Sequence, residues 1–465
     1  MTSLAIRGGR VIDPANGLDA VADVLIVDGR VAAVGPDAGA DASETIDARG
    51  LVVTPGFVDI HCHLREPGFE HKETIATGTL AAARGGFTTV CAMPNTEPPI
   101  DSAATVEYVL RTARAQGAVR VLPIACVSRR RAGKELAELA ELAAAGAVAF
   151  SDDGSPVADA HLMRRALEYA SMLDPSTALR TGLAVIDHCE DPSLSGGVMH
   201  EGWVATRLGL RGVPSAAEET MVARDIALAE LTASHVHIAH VNTAGSVDLI
   251  RAAKARALPV TAEVTPHHLA LTHDAVLTGP GETPGGLAYD TNAKVNPPLR
   301  TPADAAACLD GVLDGTIDCI ATDHAPHAVE DKLCEFDAAA FGISGLETAL
   351  GLCLTVTDAP TRGVGVVRER PRGAVHEPPL PLARLIEALT ISPVRSLGLD
   401  RRVEGLGTLS VGTPGDVAII DPEAEWVVEP EPFASKGRNT PLAGRTLKGR
   451  VVATVYEGTV VFDDR

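Results

Sequence analysis

The chain is poor in aromatic residues, since Phe, Tyr and Trp together make up 3% of its 465 positions. A buried core must therefore be built from aliphatic side chains, and a hydrophobic fraction of 46% is too high for a chain disordered throughout. No run approaches the ~20 apolar residues of a membrane-spanning helix. The N-terminal sequence MTSLAIRGGRVIDPANG also has no apolar stretch of the signal-peptide kind.

Positive charge is scarce as well. Lys and Arg number 40 against 61 Asp and Glu, which gives a net charge of −21. Such a chain repels phosphate backbones, so we expect neither a nucleic-acid nor a membrane partner. The eight cysteines include no CxxC pair, and we interpret them as reduced thiols of a cytoplasmic protein.

The middle of the chain alternates between β-rich runs and helix-like stretches. The β-rich runs are 56–63, 86–95, 119–127, 147–154, 183–190, 235–241, 259–266 and 317–324. The helix-like stretches between them include an Ala/Glu/Leu run at 135–145, which we expect to be an outer helix. Eight such units predict an α/β fold, a (β/α)8 TIM-type barrel. An open doubly wound sheet is the alternative, but no GxGxxG follows the first strand.

Both chain ends are strand-rich instead. Residues 1–54 and 405–465 contain short β-branched runs separated by Gly, Asp and Pro. We therefore expect a small β-sandwich domain assembled from both termini, with the barrel at 55–404. A Pro/Gly/Arg-rich insert at 359–381 is interpreted as an exposed loop or local disorder, and a functional basic arm is the less favoured alternative.

Polar side chains end most of the predicted barrel strands, where barrel enzymes place their sites. They are His61 and His63 on the first run, Asn95 on the second, Asp152 and Asp153 on the fourth, His188 on the fifth, His240 on the sixth and Asp323 on the eighth. His61 and His63 are two residues apart, so their side chains share one face of the strand. One HxH pair is weak evidence, but together with the other strand-end His and Asp residues it predicts a metal site.

Several segments carry a resemblance to a known family. GFVDIHCHLREPGFEHKETIATGTLAAARGGFTTVCAMPNT, FSDDG, DHCED, HIAHVNTAGS, KVNPPLR and ATDHAPH resemble the amidohydrolase superfamily, and most closely the type I dihydroorotases. The resemblance covers nearly the whole chain. It implies a zinc-dependent cyclic amidohydrolase that reversibly cyclises N-carbamoyl-L-aspartate to L-dihydroorotate in pyrimidine biosynthesis.

The resemblance also implies a metal-ligand set. His61, His63 and Asp323 would hold one zinc, and His188 and His240 a second. Many superfamily members bridge the metals with a carboxylated lysine, which the fourth run lacks. Type I dihydroorotases use an aspartate, which matches Asp153, although the sequence alone leaves Asp152 open as the bridge.

The remaining implied roles concern the substrate. The substrate-binding set is His63, Arg65, Asn95, Asn296, His327, Phe341 and Gly342. Within it, Arg65, Asn95 and His327 would hold the substrate carboxylate, because a guanidinium can donate two parallel hydrogen bonds to one. Asp323 would be the catalytic residue that moves the proton. The chain departs from the family by having Ala340, where proline is common, before Phe341.

Other His and Cys residues near the predicted ligands are not expected to bind metal. Strand parity predicts that His237 faces the helix layer, and that the thiols of Cys62 and Cys189 turn away from the metals. His267 and His268 are expected to be structural.

Two other functions stay open on the sequence alone. One is a different cyclic amidohydrolase, an allantoinase or dihydropyrimidinase, although these usually need the strand-four lysine. The other is a non-catalytic partner of aspartate transcarbamoylase, which is disfavoured because every identifiable ligand is present. A homodimer, and association of an active enzyme with aspartate transcarbamoylase, remain open.

Overall fold

The computed structural model describes residues 3–39, 41–173, 182–277, 289–358 and 380–465, so nearly all of the 359–381 insert lies outside the described residues. The strands are β1 Ser3–Asp13, β2 Leu18–Val27, β3 Arg30–Gly35, β4 Glu44–Asp47, β5 Val52–Pro55, β6 Phe57–Cys62, β7 Phe87–Ala92, β8 Arg120–Pro123, β9 Phe150–Ser151, β10 Val185–Asp187, β11 Met199–His200, β12 Gly212–Val213, β13 Val236–Ile238, β14 Val260–Val264, β15 Cys319–Ile320, β16 Val417–Val427, β17 Thr446–Tyr456 and β18 Thr459–Asp463. The α-helices are α1 Ile75–Arg84, α2 Ala103–Gln116, α3 Leu139–Ala145, α4 Ala160–Ala170, α5 Trp203–Leu208, α6 Ala216–Thr232, α7 Ala244–Ala255, α8 Pro266–Ala270, α9 Pro302–Asp314, α10 Val329–Lys332, α11 Ala349–Asp358, α12 Leu382–Leu389 and α13 Ile391–Leu397.

The two chain ends meet in one sheet. Its strand order is β18-β17-β16-β5-β1-β2-β3, and β4 pairs with β1. The join is between β5 and β16, which pair antiparallel from Val417 opposite Pro55 to Ile420 opposite Val52. Because β-branched side chains alternate along these strands, one face of the sheet buries an aliphatic cluster that includes Ile6, Val53 and Ile419.

Each of the eight predicted β-rich runs contains one strand, and all of these strands pair in parallel. They form two sheets, β6-β7-β8 and β15-β14-β13-β10-β9. Two isolated parallel bridges, Ala125 to Phe150 and Cys62 to His324, connect the edges of these sheets. The α/β prediction is therefore confirmed.

The parallel strands are covered on both faces, as their nearly continuous apolar sequence requires. One cluster contains Val58, Ile60 and Ile186 and packs against Ile391 and Val394 of α13. The other contains alternate strand residues such as Phe57 and packs against the surrounding helices. Both clusters are mainly aliphatic, as the composition predicts.

Side-chain caps mark where several helices begin. Thr74, Ser102, Thr243 and Thr301 each accept a hydrogen bond from a backbone N–H of the first turn of α1, α2, α7 and α9. The expected helix at 135–145 begins only at Leu139. Its first residues instead pair with residues 127–129, where Ala137 N donates to Val127 O and Arg129 N donates to Glu135 O. No helix within the described ranges is long and apolar enough to cross a membrane.

Candidate metal and substrate site

The predicted site residues meet where the parallel strands end. They line a cavity of about 250 Å³ whose walls are His63, Arg65, Asn95, Asp153, Gly154, His188, His240, Asn296, Asp323, Ala325, His327, Phe341 and Gly342. His61 is fully buried, and its Nε2 lies 3.3 Å from Oδ1 of the lining residue Asp153. Residues separated by up to 279 positions in sequence, from His63 to Gly342, thus share one cavity.

Asp153 is central to this arrangement. One of its carboxylate oxygens lies 3.3 Å from His61 Nε2, 3.8 Å from His188 Nδ1 and 3.6 Å from His240 Nε2. The other lies 3.5 Å from His63 Nε2. The carboxylate therefore stands between the His61–His63 pair and the His188–His240 pair.

Asp152, the adjacent alternative, points elsewhere. Its Oδ1 accepts hydrogen bonds from the backbone N–H groups of Val127 at 2.9 Å and Ser128 at 3.0 Å. Its Oδ2 accepts from the Ser128 hydroxyl. This carboxylate holds the loop after β8 in place, so its oxygens are already engaged away from the histidines.

Asp323 faces the first histidine pair. Its Oδ1 lies 3.0 Å from His63 Nε2 and 3.6 Å from His61 Nε2. Burial favours the neutral acid, but the hydrogen bond from His63 and the charge of His61 outweigh it and hold the pKa of Asp323 well below its usual range. The backbone of Asp323 has φ 45°, a strained conformation for a residue with a side chain.

Three of the four histidines are oriented by a partner on the far ring nitrogen. His61 Nδ1 donates to Glu263 at 2.5 Å, His63 Nδ1 donates to the Asn95 side-chain oxygen at 2.8 Å, and His188 Nε2 donates to Glu190 at 3.1 Å. In a neutral ring bound to a metal, this N–H would leave the other nitrogen free to present a lone pair to the ion.

These donors suit a metal ion. His61, His63 and Asp323 form one group whose ligand atoms lie within 4.8 Å of one another, and His61, Asp153 and His240 form another. His61 Nε2 and Asp153 Oδ1 are buried without a hydrogen-bond partner. Buried polar atoms normally have partners, and His nitrogens with carboxylate oxygens are common zinc ligands.

Two buried glutamates support the ligands and were missed by the sequence reasoning. Glu190 also accepts a hydrogen bond from Asn296 Nδ2 at 2.8 Å, so it links a predicted ligand to a predicted substrate contact. The sequence feature that could have indicated Glu190 is its place in DHCED, two residues after His188. Glu263 lies in TAEVTP on β14, a strand whose other residues gave it no distinguishing pattern.

The prediction for His237 was wrong. Its Nε2 lies 3.2 Å from Glu263 Oε2 and its Nδ1 lies 2.8 Å from Thr261 Oγ1, so it faces the same side as the glutamate that supports His61. The parity argument counted back from His240 as though one strand connected the two. The strand ends at Ile238, and His240 has φ 33°, which breaks the alternation.

The same cavity is also lined by the predicted substrate contacts. The Arg65 guanidinium lies 3.3 Å from His327 Nε2, and its Nε donates to Pro326 O at 3.2 Å. Burial lowers the pKa of Arg65 to about 10, so it stays charged at neutral pH. Burial, followed by the charge of Arg65, lowers the pKa of His327 to about 3 and keeps it neutral. His327 Nε2 also contacts Phe341 O at 2.8 Å.

Other predictions concerned residues beside the ligands. The thiols of Cys62 and Cys189 lie 3.4 Å from Cys91 O and from Asp225 Oδ2, and neither is among the described residues that line the cavity. His268 links Thr265 Oγ1 to Pro297 O, a structural contact.

Comparisons with known proteins agree with this geometry. A family described as dihydro-orotase-like matches residues 50–246. The chain is 52% identical over 463 residues to a dihydroorotase of Pelotomaculum thermopropionicum, covering 99% of both proteins. It is 54% identical over 464 residues to a dihydroorotase of Anaeromyxobacter sp. (strain K), covering 99% of this chain and 98% of the relative.

Solved structures show the same fold. An L-hydantoinase from Arthrobacter aurescens superposes with a TM-score of 0.82 at 24% identity, covering 100% of this chain and 97% of the other. A dihydropyrimidinase from Brevibacillus agri gives a TM-score of 0.79 at 22% identity, covering 100% and 95%. On the strength of its full-length relatives, the chain belongs to the dihydroorotase family.

Proposed function

We propose that the protein is a dihydroorotase that interconverts N-carbamoyl-L-aspartate and L-dihydroorotate in pyrimidine biosynthesis. One observation carries the proposal: a His–Asp cluster of metal-ligand type and the partly buried guanidinium of Arg65 line the same cavity. The cluster suits hydrolysis of a cyclic amide, and Arg65 suits a substrate that carries a carboxylate. The relatives named dihydroorotase support the same reading.

The proposed architecture is a closed (β/α)8 barrel at 55–404 and a composite β-sandwich domain from 1–54 and 405–465. The two bridges between the parallel sheets support barrel closure. The pairing of β5 with β16 supports a domain built from both chain ends.

We further propose two zinc ions per subunit, one held by His61, His63 and Asp323 and the other by His188 and His240. Asp153 would bridge them, because its carboxylate contacts both histidine pairs. Zinc bound there would lower the pKa of water toward ~7 and polarise the ring carbonyl.

The side chains of the chain account for the remaining steps. In the hydrolytic direction, Asp323 takes the proton of the attacking water and delivers it to the ring nitrogen as the carbon–nitrogen bond breaks. Its depressed pKa keeps the carboxylate ionised before the proton is transferred. Arg65, with Asn95 and His327, holds the substrate carboxylate, while Asn296, Phe341 and Gly342 line the ring. Cyclisation uses the same contacts in reverse.

A substrate comparison tests the proposed activity. The purified, metal-analysed protein should turn over dihydroorotate far faster than hydantoin, dihydrouracil or allantoin. Asp323→Asn should abolish turnover in both directions while the protein stays folded. Preference for another cyclic amide would assign a different activity, and a folded protein with neither metal nor turnover would indicate the non-catalytic alternative.

A matched pair of variants tests the bridge. Asp153→Asn should lose metal and activity. Asp152→Asn should keep both metals and lose about 1–3 kcal/mol of unfolding free energy, because it weakens the buried bonds to Val127 and Ser128. If Asp152→Asn is the variant that loses metal, the bridging assignment is wrong by one residue.

We also propose a cytoplasmic enzyme, on the basis of its unpaired thiols, of which seven are buried. Homodimerisation and association with aspartate transcarbamoylase remain predictions. Light scattering of the purified protein, alone and with the transcarbamoylase, would test both.

A further inference from the structure

A buried lysine outside the cavity joins two of the segments that form its wall. Lys332 is the last residue of the short helix α10 and is only 6% exposed. Its Nζ donates hydrogen bonds to three backbone oxygens: Ala340 O at 2.7 Å, Thr291 O at 3.0 Å and Lys294 O at 3.1 Å. A buried ammonium is costly unless its donors are satisfied, and these three carbonyls use all of them.

The three acceptors lie close to residues that line the cavity. Ala340 directly precedes the Phe341–Gly342 pair. Thr291 and Lys294 belong to the segment that leads into Asn296. The ammonium therefore links the backbones of two stretches, 291–296 and 340–342, that approach the cavity from different parts of the chain.

Further contacts make this link more rigid. Gly342 N donates to Lys294 O at 2.9 Å, so this carbonyl receives a bond from the cavity wall as well as from Lys332. The Lys294 ammonium lies 4.4 Å from the centre of the Phe341 ring and donates to Phe336 O at 2.7 Å. A cation over an aromatic face orients the ring.

We propose that Lys332 is a positioning residue for the ring-binding wall: it holds Asn296 and Phe341–Gly342 at their mutual spacing without touching the substrate. This inference rests on the proposed function, which places those three residues against the ring. Displacing a binding segment by about 1 Å can cost ~100-fold in a reaction that depends on close alignment.

The test is Lys332→Met, which keeps most of the side-chain length and removes the three donors. The expected result is a 10- to 100-fold rise in KM for dihydroorotate, a smaller fall in kcat and unchanged metal content. Lys254→Met is the matched control. The Lys254 ammonium donates to Gly315 O at 3.2 Å and to the Asp318 carboxylate at 2.6 Å, and these bonds join no segment of the cavity wall.

Lys332→Arg keeps the positive charge and provides the second variant. It should fold with a near wild-type Tm and raise KM less than Lys332→Met, because a guanidinium reaches the same carbonyls with altered geometry. A wild-type KM in folded Lys332→Met would overturn the proposal, as would a KM in Lys332→Arg equal to that of Lys332→Met or a loss of metal in step with KM. Failure of the wild-type enzyme to use dihydroorotate would instead count against the proposed function.

Discussion

Glu263 is a sharp test of how the candidate metal centre is supported. It lies below His61, is fully buried, and accepts hydrogen bonds from His61 at 2.5 Å and His237 at 3.2 Å. Burial favours its neutral form, but the charges and hydrogen bonds of these histidines outweigh it and lower the pKa of Glu263 to about 2. A carboxylate at this position fixes the tautomer of His61 and increases its basicity as a ligand.

Glu263→Gln should weaken one metal position more than the other. The substitution keeps the side-chain volume and an acceptor for His61, but replaces a charged hydrogen bond with a neutral one. That difference is about 1–2 kcal/mol, or about 5- to 30-fold in affinity. Of the two proposed positions, the one held by His61, His63 and Asp323 should weaken, whereas His188 and His240 have no contact with Glu263 among their described hydrogen bonds.

The assay is a competition between the enzyme and a zinc chelator. Bound metal and dihydroorotate turnover are measured at each chelator concentration. The wild type should release its metals at higher chelator concentration than the variant, which should pass through a state with one zinc. Asp416→Asn is the control, since it alters a buried carboxylate that pairs with Arg120 at 2.7 Å near the amino end of β8. Wild-type chelator resistance in Glu263→Gln, or equal weakening of both positions, would refute the reasoning.

Three further predictions concern the substrate wall and acid stability. Gly342→Ala should raise KM about 100-fold in steady-state kinetics. Gly342 has φ 142°, and an added Cβ would lie 2.6 Å from a backbone oxygen. Gly345→Ala is the control and should leave KM unchanged, because the nearest atom to its added Cβ would be 3.4 Å away. Arg65→Lys should raise KM about tenfold with metal content unchanged, because the paired donors are lost, and an unaltered KM would remove Arg65 from the binding set. Burial lowers the pKa of His235 to about 3, so the folded protein loses stability as pH falls below the ordinary value of 6.5. Between pH 6.5 and 5, the free energy of unfolding in urea should therefore fall by up to about 2 kcal/mol less in His235→Gln than in the wild type. His161→Gln, which replaces an exposed histidine, is the control and should follow the wild type.

Much of the architecture was accessible from sequence, because hydrophobic periodicity is a local property. All eight β-rich runs contain a strand, and polar residues at the ends of six of them line one cavity. The helix expected at 135–145 forms only from Leu139 onward. Residues before it form backbone hydrogen bonds with residues 127–129, which local helix propensity does not reveal. Long-range pairing overrode a favourable helical composition.

The sequence by itself determined which chemistry the chain carries: the His and Asp residues at the strand ends, and the arginine close to them. Tertiary structure decided which of two neighbouring aspartates faces the histidines, because the loop at Val127 and Ser128 engages Asp152 and leaves Asp153 free. It also placed Glu263 against His61, 202 residues away in the sequence, and His237 against Glu263. Strand parity gives the direction of a side chain only while the strand continues. At this site the strands end, the backbone turns through positive φ, and the contacts come from distant segments.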